Sequence, residues 1–276
     1  MSDARAVRLL KRELREIFKV AGSRTVFLEL YAGHGGVSKH LRTRGAAVME
    51  FELDRGAQYD LTRKGVRRLL LGWVRAGVVR GAWLGTICKS WSRARRGPPG
   101  SSWGPIRSAK HIYGFPDLSA SDRSKILVGN ATMRQSAEFI HACIRAHIPV
   151  ILENPVASML WLAPPIRSQL SSTSCQIISV DQCQFGARWR KRTRLAGWHC
   201  PILSLQQLCT GRKGQCNRTK KPHIVLSGSS KEHGVLWTAL AQTYPDPFCR
   251  AGAGALFTAA EQNHLLRLRQ LGQGIA

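Results

Sequence analysis

The sequence predicts an α/β fold in which a mostly parallel, doubly wound sheet carries helices on both faces. Short apolar runs typical of buried strands alternate with longer amphipathic segments between residues 4 and 198. The first of these runs leads directly into a turn with three glycines and then into a helical segment. A chain of 276 residues can form one large domain with a small appendage.

The predicted elements follow in a regular order. An amphipathic helix covers residues 4–20, with Val7, Leu10 and Leu14 on its apolar side, and ends at Gly22. Strands are then predicted at 26–30, 46–53, 82–87, 149–152, 176–180 and 194–198, and helices at 37–44, 62–76, 130–146 and 259–271. Four prolines in residues 93–118 indicate a long irregular loop.

The charge of the chain points to a polyanionic partner. Forty-two Lys and Arg against sixteen Asp and Glu give a net charge of +26, which favours nucleic acid as the partner. No apolar run approaches the roughly 20 residues of a membrane span, so no membrane role is expected. The N-terminus does not resemble a secretory signal, and the eight cysteines are expected to be reduced thiols. We therefore expect an intracellular protein, and a monomer.

The glycine turn and two acids after it form a candidate cofactor site, although they could also be a structural turn with surface acids. The stretch FLELYAGHGG is not the dinucleotide pattern G-x-G-x-x-G, but it resembles the first motif of the cytosine-5 methyltransferases. The resemblance implies that Tyr31, Gly33 and Gly36 surround the methionine part of S-adenosylmethionine. It also implies that Glu52 binds the ribose and that Asp60 lies near the adenine amino group.

The stretch GTICKSWSRAR contains the candidate nucleophile, Cys88. By itself this cysteine is better explained as a buried thiol. In the family that the chain resembles, a cysteine at this strand end adds to carbon 6 of cytosine. We expect Lys89, Arg93 and Arg95 to lower its pKa. The family has proline where this chain has Ile87.

Two later motifs complete the resemblance. Glu153, in the stretch ENP, matches a Glu-Asn-Val motif whose carboxyl group holds the ring of the flipped cytosine. Arg192 and Arg194 match a Gln-x-Arg-x-Arg motif, which implies that they orient Glu153 and the base. The chain departs from both motifs, with Pro155 in place of valine and Arg190 in place of glutamine.

A basic segment at residues 199–228 has a different composition, with little apolar periodicity. Cys200, Cys209, Cys216 and His223 could bind tetrahedral zinc and so order this segment. The alternative is a set of buried thiols and a surface histidine.

The resemblance covers residues 25–198 and implies a Rossmann-like methyltransferase sheet. We thus expect an N-terminal helix in 1–24, a catalytic domain in 25–198, a Cys/His recognition segment in 199–228 and a completing helical segment in 229–276. The expected activity is methyl transfer from S-adenosylmethionine to carbon 5 of a flipped cytosine in DNA, wherever in the cell DNA is accessible. Two alternatives stay open: an RNA substrate such as a tRNA, or an inactive nucleic-acid-binding protein on the same fold.

Overall fold

The computed structural model of the protein describes residues 1–92, 104–230 and 232–273, with side chains as far as residue 266. Its strands are β1 (Val26–Leu30), β2 (Val48–Phe51), β3 (Val79–Leu84), β4 (Val150–Pro155), β5 (Cys175–Asp181) and β6 (Arg192–Trp198). They form one mixed sheet in the order β2-β1-β3-β4-β6-β5. β6 is antiparallel to both of its neighbours, whereas the pairs among β2, β1, β3 and β4 are parallel.

Helices cover both faces of this sheet. They are α1 (Asp3–Ala21), α2 (Gly36–Arg42), α3 (Lys64–Arg75), α4 (Ala120–Arg145), α5 (Pro164–Leu170), α6 (Trp237–Leu240) and α7 (Asp246–Gln273). The core of one face includes side chains of α1, α3, α4 and α5, and the core of the other includes side chains of α2 and α7. The predicted α/β architecture is therefore confirmed.

The strand order reverses next to β1. The chain passes from β1 to β2 on one side and returns to β3 on the other side. In open α/β sheets, ligands bind outside the carboxyl ends of the strands at such a reversal. The segments that follow β1 and β3, which contain the glycine turn and Cys88, both begin at this point.

Most predicted elements are present, but several boundaries differ. α1 matches its prediction and ends at Gly22, which has a left-handed φ of 60°. α4 begins ten residues earlier than predicted, at Ala120 after the N-cap Ser119. α7 begins at Asp246 rather than at residue 259, so it includes the stretch AGAGA. A Cβ added at Gly252 would lie 2.7 Å from the Trp83 ring, so this glycine lets the helix approach the sheet closely.

Residues 199–228 contain little regular structure, as their composition suggests. The regular structure there includes a short 3-10 helix at Leu203–Leu205 and an isolated β-bridge between Gln215 and Pro222. None of the described helices is both long and apolar enough to cross a membrane.

Candidate active site

The glycine turn follows β1 and brings a predicted acid into contact with the backbone. Tyr31 and Gly33 have positive φ angles of 58° and 52°, and α2 begins at Gly36. The Gly33 backbone N–H donates to Oε2 of Glu52 at 2.8 Å. Two of the predicted cofactor elements, the turn and the acid after β2, are thus directly joined.

Asp60 lies in the next turn, at the start of the segment that leads to α3. Its Oδ1 accepts hydrogen bonds from the backbone N–H and the hydroxyl of Thr62, at 2.9 and 2.6 Å. Burial is the main influence that raises the pKa of the Tyr31 hydroxyl, and the charge of Asp60 adds to it. The two predicted cofactor residues are therefore close enough to interact electrostatically.

The end of β3 lies against the glycine turn. The Gly85 backbone N–H donates to the Leu30 carbonyl at 3.0 Å. A Cβ added at Gly85 would lie 3.1 Å from the Tyr31 carbonyl oxygen and 3.0 Å from the hydroxyl of Tyr244. A side chain at position 85 would therefore be tightly packed, because three segments meet there.

A hydrogen-bond network positions the loop that contains Cys88. Asn154, fully buried in β4, donates from Nδ2 to the Thr86 carbonyl at 2.6 Å. The Thr86 hydroxyl lies 2.7 Å from that of Ser136 on α4. The Trp91 backbone N–H then donates to the Cys88 carbonyl at 2.9 Å, which closes a tight turn.

Trp91 anchors the far side of the same turn. Its indole is fully buried, and the Arg107 guanidinium lies 3.5 Å from the centre of the ring system. Arg107 also donates from Nε to the Ser90 carbonyl at 3.0 Å. These contacts constrain the backbone around Cys88, although Ile87 lacks the fixed φ that a proline would give.

Glu153 is a buried carboxyl group with one tyrosine partner. It lies in β4, is 4% exposed, and accepts a 2.5 Å hydrogen bond at Oε2 from the Tyr244 hydroxyl. Its Oε1 has no hydrogen-bond partner among the described residues. Burial raises the pKa of Glu153, while the Lys191 charge and the Tyr244 hydrogen bond oppose this effect.

Cys88 shares the electrostatic environment of Glu153. Burial is the largest influence and raises the pKa of the Cys88 thiol above its ordinary value. The Lys191 ammonium lowers this pKa and the Glu153 carboxylate raises it. The thiol, the carboxyl group and the ammonium therefore form one interacting group.

Of the three cations that were expected to lower the pKa of Cys88, Lys89 lies among the described residues. Lys89 lowers the pKa of Cys88 as expected, but it is the smallest of the named influences and the net shift is upward. Arg93 and Arg95, which were expected to act with Lys89, lie outside the described residues. Burial outweighs Lys191 and Lys89 because it removes the water that would stabilise a thiolate.

The predicted roles of the two arginines do not agree with the structure. Arg192 forms a two-pronged ion pair with Asp181, with its Nε and Nη2 each 2.9 Å from a carboxylate oxygen. The Arg194 guanidinium lies 5.3 Å from the ring centre of Trp161. Among the described residues, neither arginine is hydrogen-bonded to Glu153.

Strand alternation explains this difference. In the antiparallel pairing of β4 with β6, Glu153 lies opposite Leu195, and Asn154 lies opposite Arg194. Directly opposed residues share a face, and successive residues alternate. Arg194 therefore lies on the face of the sheet opposite to Glu153. Leu195, Thr193 and, just before the strand, Lys191 follow every second position and so lie on the same face as Glu153. Period-2 counting along RKRTR would have identified Lys191.

A second group of side chains lies in the basic segment. The ligand atoms of Cys183, Cys209, Cys216 and His223 all lie within 4.8 Å of one another. Cys200, predicted as a ligand, is instead packed in the apolar core beneath α2 and α7, where burial raises its pKa to about 12. Cys183 takes its place because the turn after β5 folds against the basic segment.

Four side chains thus converge beside the glycine turn: Cys88, Glu153, Tyr244 and Lys191. Sequence motifs indicate the first two, whereas Tyr244 comes from a segment distant in sequence and Lys191 is identified by strand alternation. Neither the known family models nor the curated proteins include a match to this chain.

Proposed function

We propose that the chain is an S-adenosylmethionine-dependent cytosine-5 methyltransferase that acts on DNA, built on a doubly wound, Rossmann-like methyltransferase sheet. The observation that supports this most directly is the convergence of Cys88 and Glu153. Their strand ends are joined by the hydrogen bond from Asn154 to Thr86. Both side chains also interact electrostatically with Lys191, and Gly85, three residues before Cys88, lies against the glycine turn.

A thiol at this position suits chemistry on a pyrimidine. Carbon 5 of cytosine is a poor nucleophile, and addition of the Cys88 thiolate to carbon 6 forms a carbon–sulfur bond that moves electron density onto carbon 5. Once carbon 5 had gained the methyl group, loss of the carbon 5 proton to water and departure of the Cys88 thiolate would restore the double bond of the ring. The base must leave the helical stack to reach a half-buried cysteine, so we infer base flipping.

Glu153 is suited to hold a proton at the cytosine ring. Burial favours its neutral form, which can donate to ring nitrogen 3, while Tyr244 fixes the other carboxyl oxygen. A neutral Glu153 also no longer raises the pKa of Cys88, whereas the lowering influence of Lys191 persists. Protonation of Glu153, which allows it to bind the base, therefore also favours the Cys88 thiolate that attacks the base.

The residues around the glycine turn fit S-adenosylmethionine, which supplies an electrophilic methyl group when bound. The positive φ at Gly33 leaves the backbone exposed, and the half-exposed Glu52 carboxylate is held against it, where it can accept from ribose hydroxyls. Asp60 could accept from the adenine amino group. Tyr31 and Gly36 would then border the methionine part.

The surface charge favours a nucleic acid substrate. The chain carries a net charge of +26, and the exposed side of α1 presents a row of five cations: Arg5, Arg8, Lys11, Arg12 and Arg15. Phosphate contacts from such a row would position a duplex without reading its sequence. Binding should therefore weaken steeply with salt.

A covalent-trapping experiment tests this proposal. Duplex DNA that contains 5-fluorocytosine is incubated with the protein and S-adenosylmethionine, because fluorine at carbon 5 blocks release and leaves a stable adduct. We expect an adduct with the wild type and none with Cys88→Ala. Cys175→Ala is the matched control, since Cys175 is the other cysteine that is only partly buried, and it should react normally. An adduct that survives Cys88→Ala would refute the assignment of the nucleophile.

Two further arms separate the alternatives. An adduct with 5-fluorocytidine RNA but not with DNA would favour an RNA substrate such as a tRNA. The absence of any adduct, together with a melting temperature that S-adenosylmethionine leaves unchanged, would favour an inactive nucleic-acid-binding protein.

A further inference from the structure

We propose that Cys183, Cys209, Cys216 and His223 bind a structural zinc ion that attaches the basic segment to the sheet. The basic segment is residues 199–228, and the site joins it to the turn between β5 and β6. This inference is independent of the proposed methyl transfer, because it concerns how the segment is held and not what the active site does.

The geometry suits tetrahedral zinc. Zinc bonds of about 2.3 Å to sulfur and 2.0 to 2.1 Å to nitrogen place neighbouring ligand atoms about 3.5 to 3.8 Å apart. The Cys209 sulfur lies 3.7 Å from Nε2 of His223, and all four ligand atoms lie within 4.8 Å of one another. Only a small contraction would be needed. Three thiolates and one imidazole in this arrangement favour zinc over harder cations.

The backbone prepares the ligands for this role. Cys183 lies in a short 3-10 turn after β5, which Gly186 ends with a positive φ of 106°. The Lys220 backbone N–H donates to the Cys216 carbonyl, and that of Cys216 donates to the Lys221 carbonyl, both at 2.8 Å. This closed turn orients the Cys216 side chain toward the other ligands.

Cys200, Ile202 and Leu205 pack into the apolar core, but the part of the segment after Leu205 has little else to hold it. The three cysteines Cys183, Cys209 and Cys216 form a small buried cluster of their own, separate from the two large cores of the sheet. Short segments without an apolar core commonly depend on a metal for their fold. A metal is the economical explanation for three buried thiols and a histidine that converge there.

The surrounding charge would stabilise the occupied site. Three thiolates and a neutral imidazole around Zn²⁺ carry a net charge of −1. The basic segment places five exposed cations close to these ligands in sequence: Arg212, Lys213, Arg218, Lys220 and Lys221. A negatively charged metal site in this setting lowers the mutual repulsion of those cations.

The site is also linked to the active site through Asp181. This buried carboxylate accepts from the Cys209 backbone N–H at 2.8 Å and pairs with Arg192 at the start of β6. Arg190 donates to the Cys209 carbonyl at 2.6 Å as well. Lys191 lies between these two arginines, so the order of the metal site should influence the position of its ammonium group.

Zinc content measured on the full-length protein tests this inference. The protein is purified under reducing conditions without chelator, and bound metal is measured by mass spectrometry, with no cofactor or nucleic acid present. We expect about one zinc per chain in the wild type and near-complete loss in Cys183→Ser. Cys200→Ser is the matched control, because Cys200 lies in the apolar core, and it should retain its zinc.

A conservative variant guards against simple misfolding. His223→Ala should lose zinc, whereas His223→Cys, which supplies a fourth thiolate, should retain it. Zinc at wild-type level in Cys183→Ser, zinc loss in Cys200→Ser, or a wild type that takes up no zinc when it is supplied would each overturn the proposal. These outcomes do not depend on adduct formation, so failure here is distinguishable from failure of the proposed function.

Discussion

Replacing Tyr244 with phenylalanine removes one hydroxyl from the centre of the candidate active site. That hydroxyl donates at 2.5 Å to the buried carboxyl group of Glu153, whose other oxygen has no hydrogen-bond partner among the described residues. The variant therefore leaves Glu153 with weaker stabilisation of its charged form. The phenyl ring still fills the space between Trp83 and Phe248, so the packing is preserved.

The size of the effect follows from the protonation state of Glu153. A hydrogen bond to a charged group contributes about 1.5 to 3 kcal/mol, and one between neutral groups about 0.5 to 1.5 kcal/mol. The variant should therefore lose about 1 to 1.5 kcal/mol more stability where Glu153 is charged than where it is neutral. Since the Tyr244 bond lowers the pKa of Glu153, its loss should raise that pKa further.

The destabilisation by Tyr244→Phe should depend on pH. Burial already raises the folded-state pKa of Glu153 above its unfolded value. The proton on Glu153 therefore stabilises the folded state fully at pH values below about 4.3, the pKa of Glu153 in the unfolded chain. This stabilisation is lost as the pH rises through the pKa of Glu153 in the folded protein. Because Tyr244→Phe raises the folded pKa further, it should destabilise the protein more at pH 8 than at pH 4.

Urea unfolding at several pH values measures this difference. Tyr59→Phe is the matched control, because Tyr59 donates at 2.8 Å to Glu13 in a similar pair that is only partly buried. We expect a loss of about 0.5 kcal/mol there, since solvent screens the pair. Equal destabilisation by Tyr244→Phe at pH 4 and pH 8 would refute the reasoning. If the proposed function is correct, the alkaline limb of adduct formation should also move to higher pH, because the neutral form of Glu153 that holds the base persists to higher pH.

Three further predictions concern the surroundings of the site. Asn154→Ala removes the donor to the buried Thr86 carbonyl, so it should lower the unfolding free energy by about 2 to 4 kcal/mol and slow adduct formation. Asn263→Ala, which removes an exposed amide, should change the unfolding free energy by less than about 0.5 kcal/mol. Gly36→Ala places a Cβ 2.5 Å from the Cys249 sulfur and should lower the unfolding free energy by about 1 to 3 kcal/mol. Adding Cys249→Ala should recover part of that loss, and thermal unfolding of both variants measures this. Duplex binding should fall linearly with salt on a logarithmic plot, with a slope of about −0.9 for each phosphate contacted; a flat plot would contradict an electrostatic interface.

Sequence patterns predicted the sheet well because its strands are short apolar runs that end at recognisable turns. They also placed Cys88 and Glu153 at strand ends, and neighbouring parallel strands end at the same edge of a sheet. Convergence of these two residues therefore followed from topology. The extent of α7 did not, because the glycines of AGAGA disfavour a helix locally and are tolerated where Gly252 packs on Trp83.

The errors share one physical cause, which is that they depend on contacts distant in sequence. Cys200 was grouped with Cys209 by proximity along the chain, but it follows β6 and packs into the core beneath α2 and α7. Cys183, which takes its place, lies in the turn between β5 and β6, at the other end of β6 from Cys200. Similarly, a motif resemblance assigned Arg194 to Glu153, although the register of β4 with β6 puts the two side chains on opposite faces.

The upward shift in the pKa of Cys88 is consistent with a nucleophile that is controlled by its substrate. A thiol with a lowered pKa would be a thiolate at all times and open to unwanted oxidation or alkylation. Here burial and the Glu153 carboxylate both favour the protonated thiol. In the proposed function, a base that engages Glu153 in its neutral form removes the second of these influences, whereas the lowering influences of Lys191 and Lys89 persist. If the proposed function is correct, thiolate formation is then coupled to occupation of the pocket by the base.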